Sequence, residues 1–366
     1  MTIFYTSVAV LAILCGAGAF HWCRRLRWLL AVVVALAIVV GAILLRPAWT
    51  PRIDTSNSVA SLQAVTLNGS RQWILIRGDN RNDPVLLFLH GGPGMPAMYL
   101  AHASTRLLEK NFVVVHWDRR DAGKSFSPKM PPDQERVSVQ LADAEALVRL
   151  LRDRFGTRPV FLVGHSWGTY LGMLLIKRHP DWFAAYVGVG QVTDPAKEGA
   201  VADRFIHDEA VRLGNKEALV EMRKDPNAYR EKWLFKFGGE LHYSTSFLPL
   251  LLTGFMAPEY TFRDALNVAK GPDYAARYIT YDVISEPPSD AITSINAPAF
   301  LFAGRYDYVT PSVLGVAYFK KLGAPCKKVF WFEDSAHFPF YEEPTHFAEA
   351  MQDVRNLPCA ADRTRQ

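Results

Sequence analysis

The sequence predicts an α/β fold: a mostly parallel central sheet with helices on both faces, a helical cap inserted late in the sheet, and transmembrane segments at the N-terminus. Three observations predict it. Short apolar runs recur along the chain, several of them continuous rather than alternating, as in strands covered on both faces. Helical segments separate these runs, the alternation of a sheet with right-handed crossovers. Two uncharged apolar stretches precede them all.

Thr2 to Phe20 carries no charge, and neither does the almost wholly aliphatic Leu29 to Leu45. At ~1.5 Å per residue each is about long enough for a hydrocarbon core of ~30 Å, the second only just. Between them lie Arg24, Arg25 and Arg27 with Trp22 and Trp28, the composition of a turn at a membrane surface. The expectation is a two-helix membrane anchor over 1–46. A cleaved signal peptide ending near Ala17-Gly18-Ala19 and a single signal anchor over the second stretch are the alternatives. Three arginines in the turn against Arg46 and Arg52 beyond it place the turn in the cytoplasm and the rest outside.

A polar, proline-bearing linker follows over 47–58. Strands are expected at Ser61 to Leu67, Gln72 to Arg77, Val85 to His90, Phe112 to Trp117, Val160 to Val163, Ala185 to Val189, Ala299 to Ala303 and Lys328 to Phe332. Ser138 to Phe155 places Leu141, Ala144, Val148 and Leu151 on one helical face, with Gly156 as its stop. From Thr193 to Ser294 the rhythm breaks into aromatic-rich helices interrupted at Pro226, Gly238-Gly239, Pro258 and Gly271-Pro272. The core is therefore expected over 59–192 and 295–358. A cap over 193–294 would lie above the sheet's carboxyl edge, where such sheets bind ligands.

Four motifs carry chemistry. Val160 to Val163 runs into Gly164-His165-Ser166-Trp167-Gly168 and then an apolar helical segment. This G-x-S-x-G in a strand–turn–helix context marks Ser166 as a nucleophile raised on a tight turn. His90-Gly91-Gly92-Pro93-Gly94 follows another strand. Its backbone passes close to the serine, so the N–H groups of Gly92 and Trp167 are the expected oxyanion-hole donors. Gly304-Arg305-Tyr306-Asp307 and Asp334-Ser335-Ala336-His337 end the last two strands. Asp307 is the expected acid and His337 the expected base, in the order Ser, Asp, His. Asp194 is a rival acid and His346 a rival base.

At these motifs the chain resembles the α/β-hydrolase superfamily, and most closely its prolyl-iminopeptidase-like branch. The branch carries HGGPG, present at His90 to Gly94. It also carries D-Q-R-G-x-G-x-S, which reads here Asp118-Arg119-Arg120-Asp121-Ala122-Gly123-Lys124-Ser125. The resemblance implies an α/β-hydrolase fold, a cis Gly92–Pro93 bond and hydrolysis through an acyl-serine. Two positions depart from the signature. Asp121 stands for glycine, and Arg119 for glutamine, which puts a cation near the expected entrance, where it would steer anionic substrates. The branch also carries a cap glutamate after a tryptophan that binds the substrate's free amine. No such pair occurs in the cap, and Glu209, Glu231 and Glu240 are unassigned.

Composition bounds the rest. With 49% hydrophobic residues in 366, the chain can bury a large core. A net charge of +5 without a basic stripe argues against nucleic acid as a partner. Cys15, Cys23, Cys326 and Cys359 form no CxxC and no metal spacing, so neither metal nor organic cofactor is expected. Cys326 and Cys359 are read as two separate buried thiols, with a disulfide as the alternative. The expected partners are a small-molecule or short-peptide substrate and a lipid bilayer. The reaction is acyl transfer on esters, amides or small N-terminal peptides. A membrane lipase or thioesterase-type esterase, and a noncatalytic binding protein on the same scaffold, are the other readings.

Overall fold

A computed structural model describes residues 24–156 and 158–359, with side chains from Trp28 onward. Thr2 to Phe20, the first expected span, and the Ala17-Gly18-Ala19 site lie outside the described residues. The second stretch belongs to helix α1 (Arg24–Leu44). Arg24, Arg25 and Arg27 lie within this helix rather than in a turn before it, because Arg is a good helix former and nothing there breaks the run. Among the described residues no helix is long and apolar enough to cross a membrane.

After α1 the chain does not hang free. The Arg46 guanidinium donates to the carbonyls of Phe255, Ala257 and Tyr260, and Arg77 reaches Thr50 Oγ1 and the Pro51 carbonyl. The segment expected as a linker therefore lies along the body.

The strands are β1 (Val59–Leu67), β2 (Ser70–Gly78), β3 (Val85–Leu89), β4 (Val113–Asp118), β5 (Val160–His165), β6 (Phe183–Val189), β7 (Ala299–Gly304) and β8 (Lys327–Phe332). They form one sheet in the order β1-β2-β4-β3-β5-β6-β7-β8. β1 pairs antiparallel with β2, and β2 antiparallel with β4; the remaining pairs are parallel. Alternate residues of the central strands enter different layers. Leu87, Leu89 and Leu162 join the layer under helices α2 (Val137–Phe155) and α3 (Trp167–Arg178). Leu86, Phe88, Phe161 and Val163 join the layer on the other face. Both faces are thus buried, which is why these strands read as unbroken apolar runs. Gly156 ends α2 at φ 89°, as the sequence indicates.

Between β6 and β7 come α4 (Pro195–Arg212), α5 (Lys216–Lys224), α6 (Pro226–Lys236), α7 (Leu248–Met256) and α8 (Phe262–Tyr278). Helices α4 to α6 bury Ala202, Ile206, Ala210 and Trp233 in a small core of their own. In α7, Leu250 and Gly254 face inward, while Leu248, Leu252, Phe255 and Met256 are exposed. The chain closes with α9 (Ser312–Lys321) and α10 (Pro344–Asn356).

Cys326 and Cys359 are joined by a disulfide, their Cα atoms 6.3 Å apart. This overturns the reading of two separate thiols. The start of β8 and the end of α10 come together in space, which sequence distance does not reveal.

Candidate active site

Ser166 sits between β5 and α3 at φ 53° and ψ −124°, a backbone conformation rare for a residue with a side chain. Small neighbours permit the turn. A Cβ on Gly168 would collide with the Leu89 carbonyl, and one on Gly164 with the Gly168 carbonyl. The Ser166 N–H donates to the Val189 carbonyl at 2.8 Å, fastening the elbow to β6. Trp167 is the first residue of α3, so its N–H has no partner within the helix.

His90 to Gly94 leaves β3 and crosses directly over the serine; a Cβ on Gly91 would come within 3.0 Å of Ser166 Cβ. Gly92 has φ 106°, and the Gly92–Pro93 bond is cis, as the resemblance implies.

Asp307 and His337 meet from beyond the ends of β7 and β8. His337 Nδ1 lies 2.9 Å from Asp307 Oδ2, and both residues are 3% exposed. The Asp307 carboxylate also accepts from the N–H groups of Val309 (2.9 Å) and Thr310 (3.0 Å) and from the Thr310 hydroxyl (3.1 Å). A carboxylate only accepts, so the proton lies on His337 Nδ1 and leaves Nε2 as a base. His165, packed 4.7 Å from the His337 ring, is held neutral by burial and by the neighbouring histidine, and its Nε2 faces the His337 carbonyl at 2.9 Å.

The two rival residues have other partners. Asp194 caps α4 by accepting from the N–H groups of Ala196 and Lys197, and pairs with the Lys197 ammonium at 2.7 Å. His346 rides α10 beside Glu343, outside the cavity.

Ser166, His337, Gly91 and Gly92 line one cavity of about 280 Å³. Its walls are largely apolar, with Tyr99, Leu100, Phe247, Phe338 and Phe340. Two cap glutamates, Glu231 and Glu240, line it as well. Burial raises the Glu240 carboxyl well above its usual range, helped by the charges of Glu231 and Asp307. The Glu240 carbonyl accepts from the His337 N–H at 3.0 Å, and the adjacent Gly239 carbonyl from Tyr308 N–H at 2.9 Å. The cap thus grips both loops that deliver Asp307 and His337. Glu209, the third unassigned acid, pairs with Arg212 on the surface of α4. No tryptophan precedes Glu240, so sequence alone gave no sign of its place.

Arg119 corrects an expectation. It does not stand at the entrance but is fully buried. Its guanidinium donates to the carbonyls of His90 (2.6 Å) and Gly91 (2.9 Å), and lies 4.6 Å from the centre of the Trp167 ring. Burial lowers its pKa, and Asp121 foremost opposes that. Five donors in a fixed fork can satisfy turn carbonyls that glycines leave exposed, so the charge is drawn inward.

Comparison with known proteins agrees with this fold. The family model described as alpha/beta hydrolase fold matches residues 84–344. A probable aminopeptidase, YbaC of Bacillus subtilis (strain 168), is 28% identical over 309 residues, covering 82% of this chain and 97% of its own length. The proline iminopeptidase structure from Mycobacterium smegmatis superposes with a TM-score of 0.60 at 19% identity, covering 82% of this chain and 100% of that one. A bacterial membrane phospholipase A superposes at 0.54 with 20% identity, covering 97% and 100%. At such identities the two structures speak for the fold.

Proposed function

Because the chain belongs to the α/β-hydrolase family, with its prolyl-aminopeptidase-like branch, and is a serine hydrolase, we propose that it cleaves short peptides or amides bearing a free N-terminal amine. In this reading Ser166 Oγ attacks the acyl carbon while His337 Nε2 takes its proton, and Asp307 stabilises the imidazolium. The N–H groups of Gly92 and Trp167 receive the oxyanion. The C–N bond then breaks as His337 returns the proton to the leaving amine. Water, activated the same way, releases the acid from Ser166 and regenerates the enzyme.

The observation that carries the amine preference is the pair Glu231 and Glu240 in the cavity with Ser166 and His337. Burial and the charge of Glu231 keep the Glu240 carboxyl raised, and an ammonium bound beside both would favour its ionised form. Aminoacyl p-nitroanilides and their N-acetylated forms provide the test. Glu240→Gln should raise KM for the free-amine substrate about tenfold, the worth of a charge-assisted contact. Its rate on an uncharged p-nitrophenyl ester should stay within about twofold. Preference for the acetylated form by the unaltered enzyme would reject the assignment. So would fluorophosphonate labelling that persists in Ser166→Ala as in the wild type, since labelling must depend on this serine.

A second part of the proposal is attachment to a bilayer through the N-terminal segment. Its support is the exposure of Leu29, Val33, Leu36, Val40 and Leu44 along α1, apolar side chains left half or more exposed among the described residues. The outward apolar row of α7 (Leu248, Leu252, Phe255, Met256) lies beside the end of α1, tied there by Arg46. The same surfaces favour an alternative, an esterase acting on acyl lipids. Long-chain acyl esters outcompeting aminoacyl amides would establish that reading instead.

A further inference from the structure

The two departures from the D-Q-R-G-x-G-x-S signature, Arg119 and Asp121, are in contact. Arg119 Nε faces Asp121 Oδ1 at 3.6 Å, and neither side chain is exposed. We propose that Arg119, balanced by Asp121, is a positioning residue that orients and polarises the Gly91–Gly92 peptide, whose N–H serves the oxyanion hole. This rests on the acyl-serine reading above.

The Gly91 carbonyl and the Gly92 N–H belong to one planar trans peptide. A cation bonded to that oxygen draws electron density toward it and leaves the N–H a stronger donor. Arg119 Nη2 sits 2.9 Å from the oxygen, while Nη1 holds the preceding carbonyl of His90, so the peptide plane is fixed at two points. A second donor reaches the same oxygen. The Arg119 main-chain N–H can only donate, and it points at His90 Nε2 at 3.2 Å. His90 therefore carries its proton on Nδ1, which lies 3.0 Å from Gly91 O. Burial and the Arg119 charge both keep this histidine neutral. The guanidinium also stacks on Trp167, the residue that supplies the other oxyanion N–H. One side chain thus touches the supports of both donors without touching the substrate's place.

The pairing explains why both positions depart together. Without Asp121 the buried arginine would keep only the weaker charges of Glu135 and Asp118 against it, and removing the foremost partner of a buried cation is destabilising. A glycine at 121 offers no counter-charge. A glutamine at 119 needs none, but it is neutral and polarises the peptide less.

The experiment compares Arg119→Gln, Asp121→Gly, the double variant and Arg119→Lys in the full-length protein. Each single charge removal should lower Tm, and the double variant should be more stable than Arg119→Gln alone. In the double variant, normalised by fluorophosphonate titration, kcat for a p-nitrophenyl ester should fall about tenfold with KM little changed, a weakened rather than deleted donor. Affinity for a boronic acid that mimics the tetrahedral state should fall by a similar factor. Arg119→Lys, a point charge that cannot bridge two carbonyls, should fall between. The Gly92 amide proton resonance should move upfield in the double variant. A merely structural brace would give Tm changes with kcat, boronate affinity and the Gly92 resonance as in wild type, and that result overturns the proposal. If the wild type is not labelled at Ser166, the acyl-serine reading fails, whereas the Gly92 resonance still decides whether Arg119 polarises the peptide.

Discussion

Asp307 holds four hydrogen-bond contacts, three of them from the Val309 and Thr310 loop and one from His337. In Asp307→Asn the two backbone contacts to Oδ1 survive if the amide nitrogen takes the Oδ2 position facing His337 and the Thr310 hydroxyl, and then the imidazole is forced into the wrong tautomer. Activity should fall by about 10³-fold or more while the fold stays intact. Asp194→Asn keeps its cap and loses only a surface pair, so its rate should remain within about twofold. Reversed effects in a steady-state assay would move the acid to the end of β6. A second carboxylate, Asp118, is fully buried at the end of β4. Burial pushes it up to about 7, against the Tyr260 hydroxyl and Lys124 N–H that bond it; the Lys124 ammonium lowers it and Asp264 raises it. Its folded value lies above its ordinary 3.8, so the folded protein holds the extra proton between these values. Stability from this group is therefore full at low pH, falls as pH rises through that window, and levels off above it. Asp118→Asn removes the titration. Its Tm relative to wild type should rise by roughly 5 °C between about pH 5 and pH 8. A constant difference across that range would show that Asp118 does not titrate there.

At the scale of elements, the strands were legible because burial on both faces leaves an unbroken apolar signature, as in Val85–Leu89 and Val113–Asp118. The elbow at Ser166 was legible for a related reason: only small residues fit at Gly164 and Gly168, so the turn writes itself into the sequence. Other features leave no such trace. Arg119 reads as a surface charge, since burial of an arginine depends on carbonyls that the fold brings to it from His90 and Gly91. Glu231 and Glu240 lie on different cap elements and meet only in the folded cavity. The row Leu248, Leu252, Phe255 and Met256 has the spacing of a core-facing stripe, yet it faces outward. Periodicity identifies an apolar face without saying what covers it.

Across the whole molecule, the disulfide ties the start of β8 to the end of α10 and so encloses the loop that carries His337. Closing a segment with a sequence separation of 33 residues contributes about 3–4 kcal/mol in the chain-entropy account. Such a bond persists where the surroundings are oxidising. From this bond and the arginines at the start of α1, which favour a cytoplasmic position, we propose that the catalytic body lies outside the cytoplasm. Two measurements on the full chain in its cells decide this. Maleimide–polyethylene glycol added under denaturing conditions should leave Cys326 and Cys359 unmodified until a reductant is supplied, and the reduced purified protein should melt several degrees lower. Protease added to spheroplasts should digest the body while a membrane-associated N-terminal fragment survives. If both cysteines react without reduction and the body is protected until the membrane is opened, the orientation is the reverse. If the chain is instead recovered wholly in the soluble fraction, the exposed faces of α1 and α7 are covered by protein rather than lipid, and the attachment proposed for them fails.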